Sequence, residues 1–130
     1  MKNHSPKEIK NIVLVGAPGS GKTTLAEAMA FEGKVIDRRG SIENNNTLSD
    51  NTDIEHEYKR SIYATTLFTE FMGRKLNIID CPGSDDFCGN LFSAFEVGDV
   101  GVMLINAQNG WEVGNEIQSR YASILNKPLI

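Results

Sequence analysis

Short apolar runs alternate with polar stretches along the chain, and each run has a length typical of a strand or a helix. Residues 11–15 (NIVLV) end at Gly16 and predict a buried strand. Residues 22–31, rich in Ala, Leu, Glu and Met, predict a helix that Gly33 is placed to end. The apolar side chains on one face of this helix are Leu25, Ala28 and Met29.

The middle of the chain changes from irregular to β-rich. Residues 34–60 carry Asp, Asn, Ser, Arg and Gly without a period, and so long an irregular stretch within a compact domain is typically functional or disordered. Residues 62–71 are rich in Thr, Tyr and Phe, and residues 75–80 are apolar again after a turn at 72–74. These two segments predict a hairpin of antiparallel strands.

The last part of the chain returns to the order of strand and helix. Residues 100–106 predict a strand, residues 112–125 predict an amphipathic helix, and residues 128–130 have the pattern of a further strand. The apolar side chains that recur along this helix are Val113, Ile117, Tyr121 and Ile124. The whole order predicts an α/β fold, with a mostly parallel sheet, one antiparallel strand and helices on both faces.

Composition limits what such a domain does. A length of 130 residues with 40% hydrophobic residues predicts one domain with a single core. The net charge of -4 and the pI of about 5.1 exclude the basic surface of a module that binds nucleic acid on its own. Cys81 and Cys88 lack the spacing of metal ligands, and no stretch has the length of a membrane span. We therefore expect a soluble, cytoplasmic chain with reduced thiols.

One loop has the pattern of a phosphate-binding site. Residues 16–23 (GAPGSGKT) match GxxxxGK[ST], in which backbone N–H groups turn toward phosphates, the lysine reaches terminal oxygens and the last hydroxyl holds Mg²⁺. The loop lies between a predicted strand and a predicted helix, which is the context that this mechanism requires. The predicted nucleotide-binding residues are Ala17, Gly19, Ser20, Gly21, Lys22, Thr23 and Thr24, and Thr23 is also a predicted metal ligand.

A second motif narrows the class of nucleotide-binding protein. Residues 80–83 (DCPG) match DxxG, in which the carboxylate holds a magnesium-bound water and the glycine offers its N–H to the γ-phosphate. Asp80 is therefore a predicted metal ligand and Gly83 a predicted nucleotide contact. Residues 17–24 also resemble the loop of adenylate-kinase-type enzymes, so a P-loop small-molecule kinase is the alternative. The DxxG motif and the hairpin before it favour a GTPase.

On these residues the chain resembles the translational GTPases, and within them elongation factor G. The segments that carry the resemblance are residues 36–41, 46–50, 57–60, 77–83 and 102–107, together with Gly110. The resemblance implies a Ras-like G domain of the P-loop NTPase class that binds GTP or GDP with Mg²⁺. It also implies that the full-length protein acts on the ribosome.

Three positions depart from the pattern of that family. Where the family has a water-positioning histidine, this chain has Ser84, and losing such a group typically costs about 10²–10⁴ in rate, roughly 3–5 kcal/mol of barrier. Where the family's effector motif supplies a threonine to Mg²⁺, this chain has Tyr63, with Ser61 and Thr65 near enough to serve instead. Gly19 replaces an aspartate of the family. We expect weak hydrolysis, and a non-hydrolysing ribosome-protection or regulatory factor is the alternative.

The base-reading part of a G domain is expected outside this segment. Residues 126–129 (NKPL) look like the family's NKxD motif, but leucine replaces the aspartate and a predicted strand follows instead of preceding them. We interpret them as a helix end and a turn. Residues 1–10 are expected to be a polar N-terminal tail with a solvated His4. Residues 11–130 are expected to be the N-terminal part of a G domain, truncated before its last strands.

Overall fold

The structure, a computed structural model, describes residues 3–49, 52–84, 86 and 88–130, without the side chain of Cys88. The strands in these residues are β1 (Ile9–Val15), β2 (Thr65–Phe71), β3 (Arg74–Asp80) and β4 (Val100–Met103). The helices are α1 (Lys22–Glu32), α2 (Asp53–Tyr58), α3 (Cys88–Val97) and α4 (Val113–Ile124), with a 3₁₀ turn at Pro6–Glu8.

The strands form one sheet in the order β2-β3-β1-β4. β1 is parallel to both β3 and β4, with Val13 opposite Ile79 on one side and Gly101 on the other. β2 is antiparallel to β3, and an isolated parallel bridge joins Leu129 to Gly101 of β4. The sheet is the mostly parallel one that the sequence predicts.

Helices cover both faces of this sheet because successive side chains of β1 point to opposite sides. Leu14 is fully buried on one face, where it packs with Ala26 of α1. Val13 is fully buried on the other face, in a cluster with Phe95 of α3 and Ala122 of α4. The predicted α/β architecture is confirmed.

The hairpin of β2 and β3 closes through Met72 and Gly73, whose φ angles are 49° and 76°. Positive φ at both central residues is the geometry of a type I′ turn, which matches the twist of the paired strands. The predicted antiparallel hairpin is confirmed, although β2 begins at Thr65 and not at residue 62.

Two helices lie where the sequence predicts none. α2 forms within the segment 34–60 that the sequence predicts to be irregular, and it begins after Thr52, whose hydroxyl accepts a hydrogen bond from the N–H of Glu55 in a capping box. α3 was missed because Gly89 and Asn90 in its first turn are poor helix formers. Its burial against the sheet, through residues such as Phe95, outweighs that propensity.

The predicted helix at residues 112–125 is confirmed as α4, but only part of its apolar stripe is buried: Tyr121 packs against the core, whereas the two ends are exposed. Val113 and Ile124 are 70% and 74% exposed. The buried residues of this helix are Gly114, Asn115, Gln118 and Ala122. The buried face of α4 is thus partly polar, and Gln118 on it hydrogen-bonds the backbone of Gly16 after β1.

The start of the chain is more closely packed than expected. β1 begins at Ile9, inside the segment 1–10 that the sequence predicts to be a tail. The side chain of His4 is 6% exposed and its Nε2 lies 3.2 Å from Oε1 of Glu70, so the expectation of a solvated histidine was wrong. In the part of the chain that the structure describes, no helix is long and apolar enough to cross a membrane.

Candidate functional site

Residues 16–21 connect β1 to α1 in a loop whose glycines adopt conformations that other residues rarely take. The φ angles of Gly16, Gly19 and Gly21 are 142°, 73° and 94°. α1 then begins at Lys22 without a side-chain cap at Gly21. No side chain at Gly21 therefore covers the first turn, where the positive end of the helix dipole favours an anion.

The lysine of this loop is held over the loop's own backbone. Nζ of Lys22 donates to the carbonyl oxygen of Gly16 at 2.9 Å and to that of Ala17 at 3.0 Å. Lys22 is only 6% exposed, and Ala17 is 2% exposed. Of the other predicted contacts, Ser20 Oγ lies 3.5 Å from Nζ of Lys22, whereas the side chain of Thr24 is exposed.

The sheet brings the two predicted metal ligands together. Asp80 is the last residue of β3 and pairs in register with Leu14 of β1, so it lies beside the loop that follows β1. Oδ2 of Asp80 accepts a hydrogen bond from Oγ1 of Thr23 at 2.7 Å. Both residues are buried, at 1% and 6% exposed. A hydroxyl and a carboxylate are hard oxygen donors of the kind that Mg²⁺ prefers.

The glycine of the DxxG motif touches the loop across this site. A Cβ on Gly83 would lie 2.7 Å from both Nζ of Lys22 and the backbone N of Pro18. Only a residue without a side chain fits such an approach. Ser84 follows, and both residues line the cleft between the loop and residues 59–61.

Of the three candidate hydroxyls before β3, one lies at the metal-ligand pair. Oγ of Ser61 is 3.4 Å from Oγ1 of Thr23. Tyr63 is 54% exposed, and Oγ1 of Thr65 donates to the carbonyl oxygen of Ser49 at 3.0 Å. The geometry therefore favours Ser61 over Tyr63 and Thr65.

A buried glutamate positions the segment that carries Ser61. Oε1 of Glu55 accepts hydrogen bonds from the N–H groups of Ile62 at 3.0 Å and Tyr63 at 3.2 Å. Its Oε2 accepts from the hydroxyl of Thr52 at 2.8 Å. Burial raises the pKa of this carboxyl, but hydrogen bonds from Ile62, Thr52 and Tyr63 outweigh burial and hold the pKa below its usual value. Glu55 is thus an ionised anchor for residues 61–63.

A second buried glutamate, Glu27 of α1, holds the preceding loop. Its Oε2 accepts a hydrogen bond from Gly40 N–H at 2.9 Å, and its Oε1 accepts one from Leu48 N–H. Glu27 is 2% exposed. Nothing in a single sequence distinguishes it from the solvated glutamates of an ordinary helix.

Two further residues have structural explanations. Nζ of Lys127 donates to the carbonyl oxygens of Gly98 at 2.9 Å and Glu96 at 3.2 Å and so caps the end of α3. This contact agrees with the interpretation of residues 126–129 as a helix end and a turn. Burial raises the pKa of the Cys81 thiol to about 12, with a further contribution from Asp80, so this cysteine is an unreactive thiol.

Comparison with known proteins identifies the class to which this geometry belongs. Residues 7–130 match the family described as the elongation factor Tu GTP binding domain. The chain belongs to this family. It is therefore a GTP-binding domain of the kind that translation factors carry, and the P-loop kinase alternative is set aside. The family also supplies guanine as the base, which the residues alone did not indicate.

Individual relatives agree with this assignment. An elongation factor G-like protein of Mycobacterium tuberculosis is 36% identical over 107 residues, which cover 82% of this chain and 15% of that protein. The tetracycline resistance protein TetM from transposon Tn1545 of Enterococcus faecalis is 34% identical over 112 residues, covering 85% and 17%. A crystal structure of a Thermus thermophilus protein has a TM-score of 0.90 at 32% identity, and the match covers 92% of this chain and 18% of that one.

This chain therefore spans only 15% to 18% of the length of each of these relatives. In this chain, the structure brings together four residues that the sequence predicts to share a site: Lys22, Thr23, Asp80 and Gly83. It adds Ser61 as a fifth member. Sequence reasoning missed the anchors that position these residues, since contacts made by single buried carboxylates leave no local pattern.

Proposed function

We propose that the chain is the GTP-binding domain of an elongation-factor-G-like protein that acts on the ribosome in the cytoplasm and hydrolyses GTP slowly. The observation that carries this proposal is the contact of Thr23 with Asp80 at 2.7 Å. It joins the two motifs at one point, beside the approach of Gly83 to Lys22. This is the arrangement needed to hold a β- and γ-phosphate and a metal ion between the motifs.

In the proposed site, the backbone N–H groups of Ala17 and of residues 19–23 bind the phosphates, and Lys22 neutralises their charge. Thr23 and, through water, Asp80 would hold Mg²⁺, which would offset charge on the phosphate oxygens when bound. Ser61 supplies the effector-segment hydroxyl in place of Tyr63. Its support is the distance of 3.4 Å between Ser61 Oγ and Thr23 Oγ1.

Slow hydrolysis is proposed from the residue that follows Gly83. Ser84 lines the cleft beside the loop, and its short hydroxyl lacks the reach and the basicity of an imidazole. A water molecule near the γ-phosphate would be oriented poorly, with an expected rate deficit of about 10²–10⁴. The second candidate function is that of a ribosome-protection or regulatory factor, which holds nucleotide without cleaving it. One relative, TetM, is by its name a tetracycline resistance protein and not an elongation factor.

Single-turnover cleavage of GTP by the full-length protein with ribosomes tests this proposal. We expect a rate at least about 10²-fold below that of an ordinary elongation factor G measured alongside. Ser84→His should raise the rate, whereas Ser84→Ala, the matched control, should leave it unchanged. A rate equal to that of the ordinary factor would contradict slow hydrolysis. Cleavage that stays undetectable in Ser84→His would favour the non-hydrolysing candidate.

A further inference from the structure

α4 contacts the first residue of the phosphate loop through a buried glutamine. Gln118 is 4% exposed. Its Oε1 accepts a hydrogen bond from the N–H of Gly16, and its Nε2 donates to the carbonyl oxygen of Gly16 at 3.2 Å. One side chain therefore satisfies both backbone polar groups of one residue. The orientation of the amide follows from this pairing, because only its oxygen accepts from an N–H.

Gly16 has no side chain through which packing could fix its peptide groups. A Cβ at this position would overlap the carbonyl oxygen of Leu104 and lie 2.7 Å from Oγ of Ser20. Its φ of 142° is one that L side chains rarely adopt. The conformation of the loop's first residue thus depends on partners from elsewhere in the fold, and Gln118 supplies two of its hydrogen bonds.

The carbonyl oxygen of Gly16 also accepts a hydrogen bond from Nζ of Lys22 at 2.9 Å. In a phosphate loop the lysine also serves the phosphate oxygens, so a bound nucleotide competes with Gly16 for the N–H groups of Nζ. The carbonyl is buried, and a buried acceptor left without a donor is costly. Gln118 donates to the same oxygen and so keeps it hydrogen-bonded when Nζ of Lys22 binds phosphate.

We propose that Gln118 is a positioning residue for nucleotide binding. It fixes the Gly16 peptide groups from α4, beside the ammonium group of Lys22 that reaches the phosphates. The inference rests on the proposed function of residues 16–23 as the phosphate site. Since GDP and GTP both place a β-phosphate in such a loop, Gln118 should affect the affinity for both nucleotides alike.

Equilibrium binding of a fluorescent GDP to the full-length protein tests the role of Gln118. Gln118→Met keeps the length of the side chain and removes both hydrogen bonds, and Gln118→Glu keeps the acceptor but removes the donor at neutral pH. We expect the Kd for GDP to rise about tenfold or more in both variants, the size of effect expected for a lost buried hydrogen bond. The Kd for fluorescent GTP should rise by the same factor.

Thr69→Val is the matched control. Thr69 is 2% exposed, and its hydroxyl donates to the carbonyl oxygen of Met29 at 3.0 Å, at the end of α1 away from the loop. This change removes a buried hydrogen bond and should lower the melting temperature as the Gln118 variants do, but leave the Kd for GDP within about twofold. An equal loss of affinity in Thr69→Val would contradict a specific role for Gln118.

The outcomes separate the inference from the proposed function. If the unmodified protein binds GDP and the Gln118 variants bind it equally well, the positioning role is wrong and the nucleotide site stands. If the unmodified protein does not bind GDP or GTP at all, the proposed function fails, and the inference fails with it. Weaker binding in both Gln118 variants, with Thr69→Val unchanged, supports both.

Discussion

At the scale of single residues, the site depends on glycines that allow close approach of the backbone as much as on functional side chains. Gly83 lies so close to the phosphate loop that a methyl group would meet Nζ of Lys22 and the backbone N of Pro18, both at 2.7 Å. The backbone N of Pro18 cannot move without displacing the loop. A glycine in a DxxG motif is thus explained here by close approach and not by an unusual φ.

Gly83→Ala is expected to weaken nucleotide binding because the added methyl group displaces the phosphate loop. We expect the Kd for GTP, measured by fluorescence titration of the full-length protein, to rise by about tenfold or more, since a displaced loop loses phosphate hydrogen bonds. Gly89→Ala is the control, because a Cβ at Gly89 in α3 meets no atom within 4 Å. Unchanged affinity in Gly83→Ala would show that the loop and the motif are not in contact when nucleotide is bound.

The effector-segment hydroxyl gives a second prediction at this scale. Ser61→Ala should increase the Mg²⁺ concentration needed for half-maximal GTP binding by roughly tenfold, the value of one lost polar contact. Tyr63→Phe, which removes a hydroxyl from a side chain that is 54% exposed, should not change it. The reverse ranking of these two variants would assign the metal contact to Tyr63.

At the scale of elements, the stretch between α1 and β2 contains one short helix, α2, and is held in place by two buried carboxylates. Glu27 ties Gly40 and Leu48 to α1, and Glu55 ties Ile62 and Tyr63 to α2. Large apolar side chains in the described part of this stretch, such as Ile54 and Tyr58, are exposed, so its opening depends on whether these carboxylates keep their hydrogen bonds.

Glu55→Gln should loosen the segment that carries Ser61, because an amide accepts hydrogen bonds with one atom instead of two. We expect trypsin cleavage after Lys59 and Arg60 at neutral pH to become severalfold faster, as expected when one anchoring interaction is lost. Glu57→Gln, an exposed neighbour in the same helix, is the control. If both variants are cleaved at the rate of the unmodified protein, Glu55 is not the anchor of this segment.

Acid should act on the same anchor. The folded chain holds the pKa of Glu55 below its usual value of 4.5, so ionised Glu55 stabilises the fold above that pH. This stabilisation is lost as the pH falls through the lowered pKa. Amide hydrogen exchange at Ile62 and Tyr63, corrected for the intrinsic pH dependence, should therefore lose protection below pH 4.5. Constant protection down to unfolding would contradict this account.

At the scale of the whole molecule, the sequence predicts those features whose residues are neighbours in the chain and misses those that depend on distant contacts. The loop between β1 and α1 and the turn at Gly73 were predicted because their residues are contiguous. The contact of Gln118 with Gly16 joins positions 102 apart, and no local pattern marks it. The same contact buries an amide of α4 beside Gly16, which the apolar stripe of this helix does not predict.

The central claim is that residues 16–23 and the Asp80–Gly83 end of β3 form one guanine nucleotide site, and titration of the full-length protein with fluorescent GTP tests it most directly. The unmodified protein should bind GTP in a Mg²⁺-dependent manner and resist competition by ATP. Lys22→Met should weaken binding by at least about 100-fold, corresponding to roughly 2.7 kcal/mol. Lys7→Met, a change at an exposed lysine, should have no effect. Equal affinity in Lys22→Met and the unmodified protein, or no binding in either, would contradict the account.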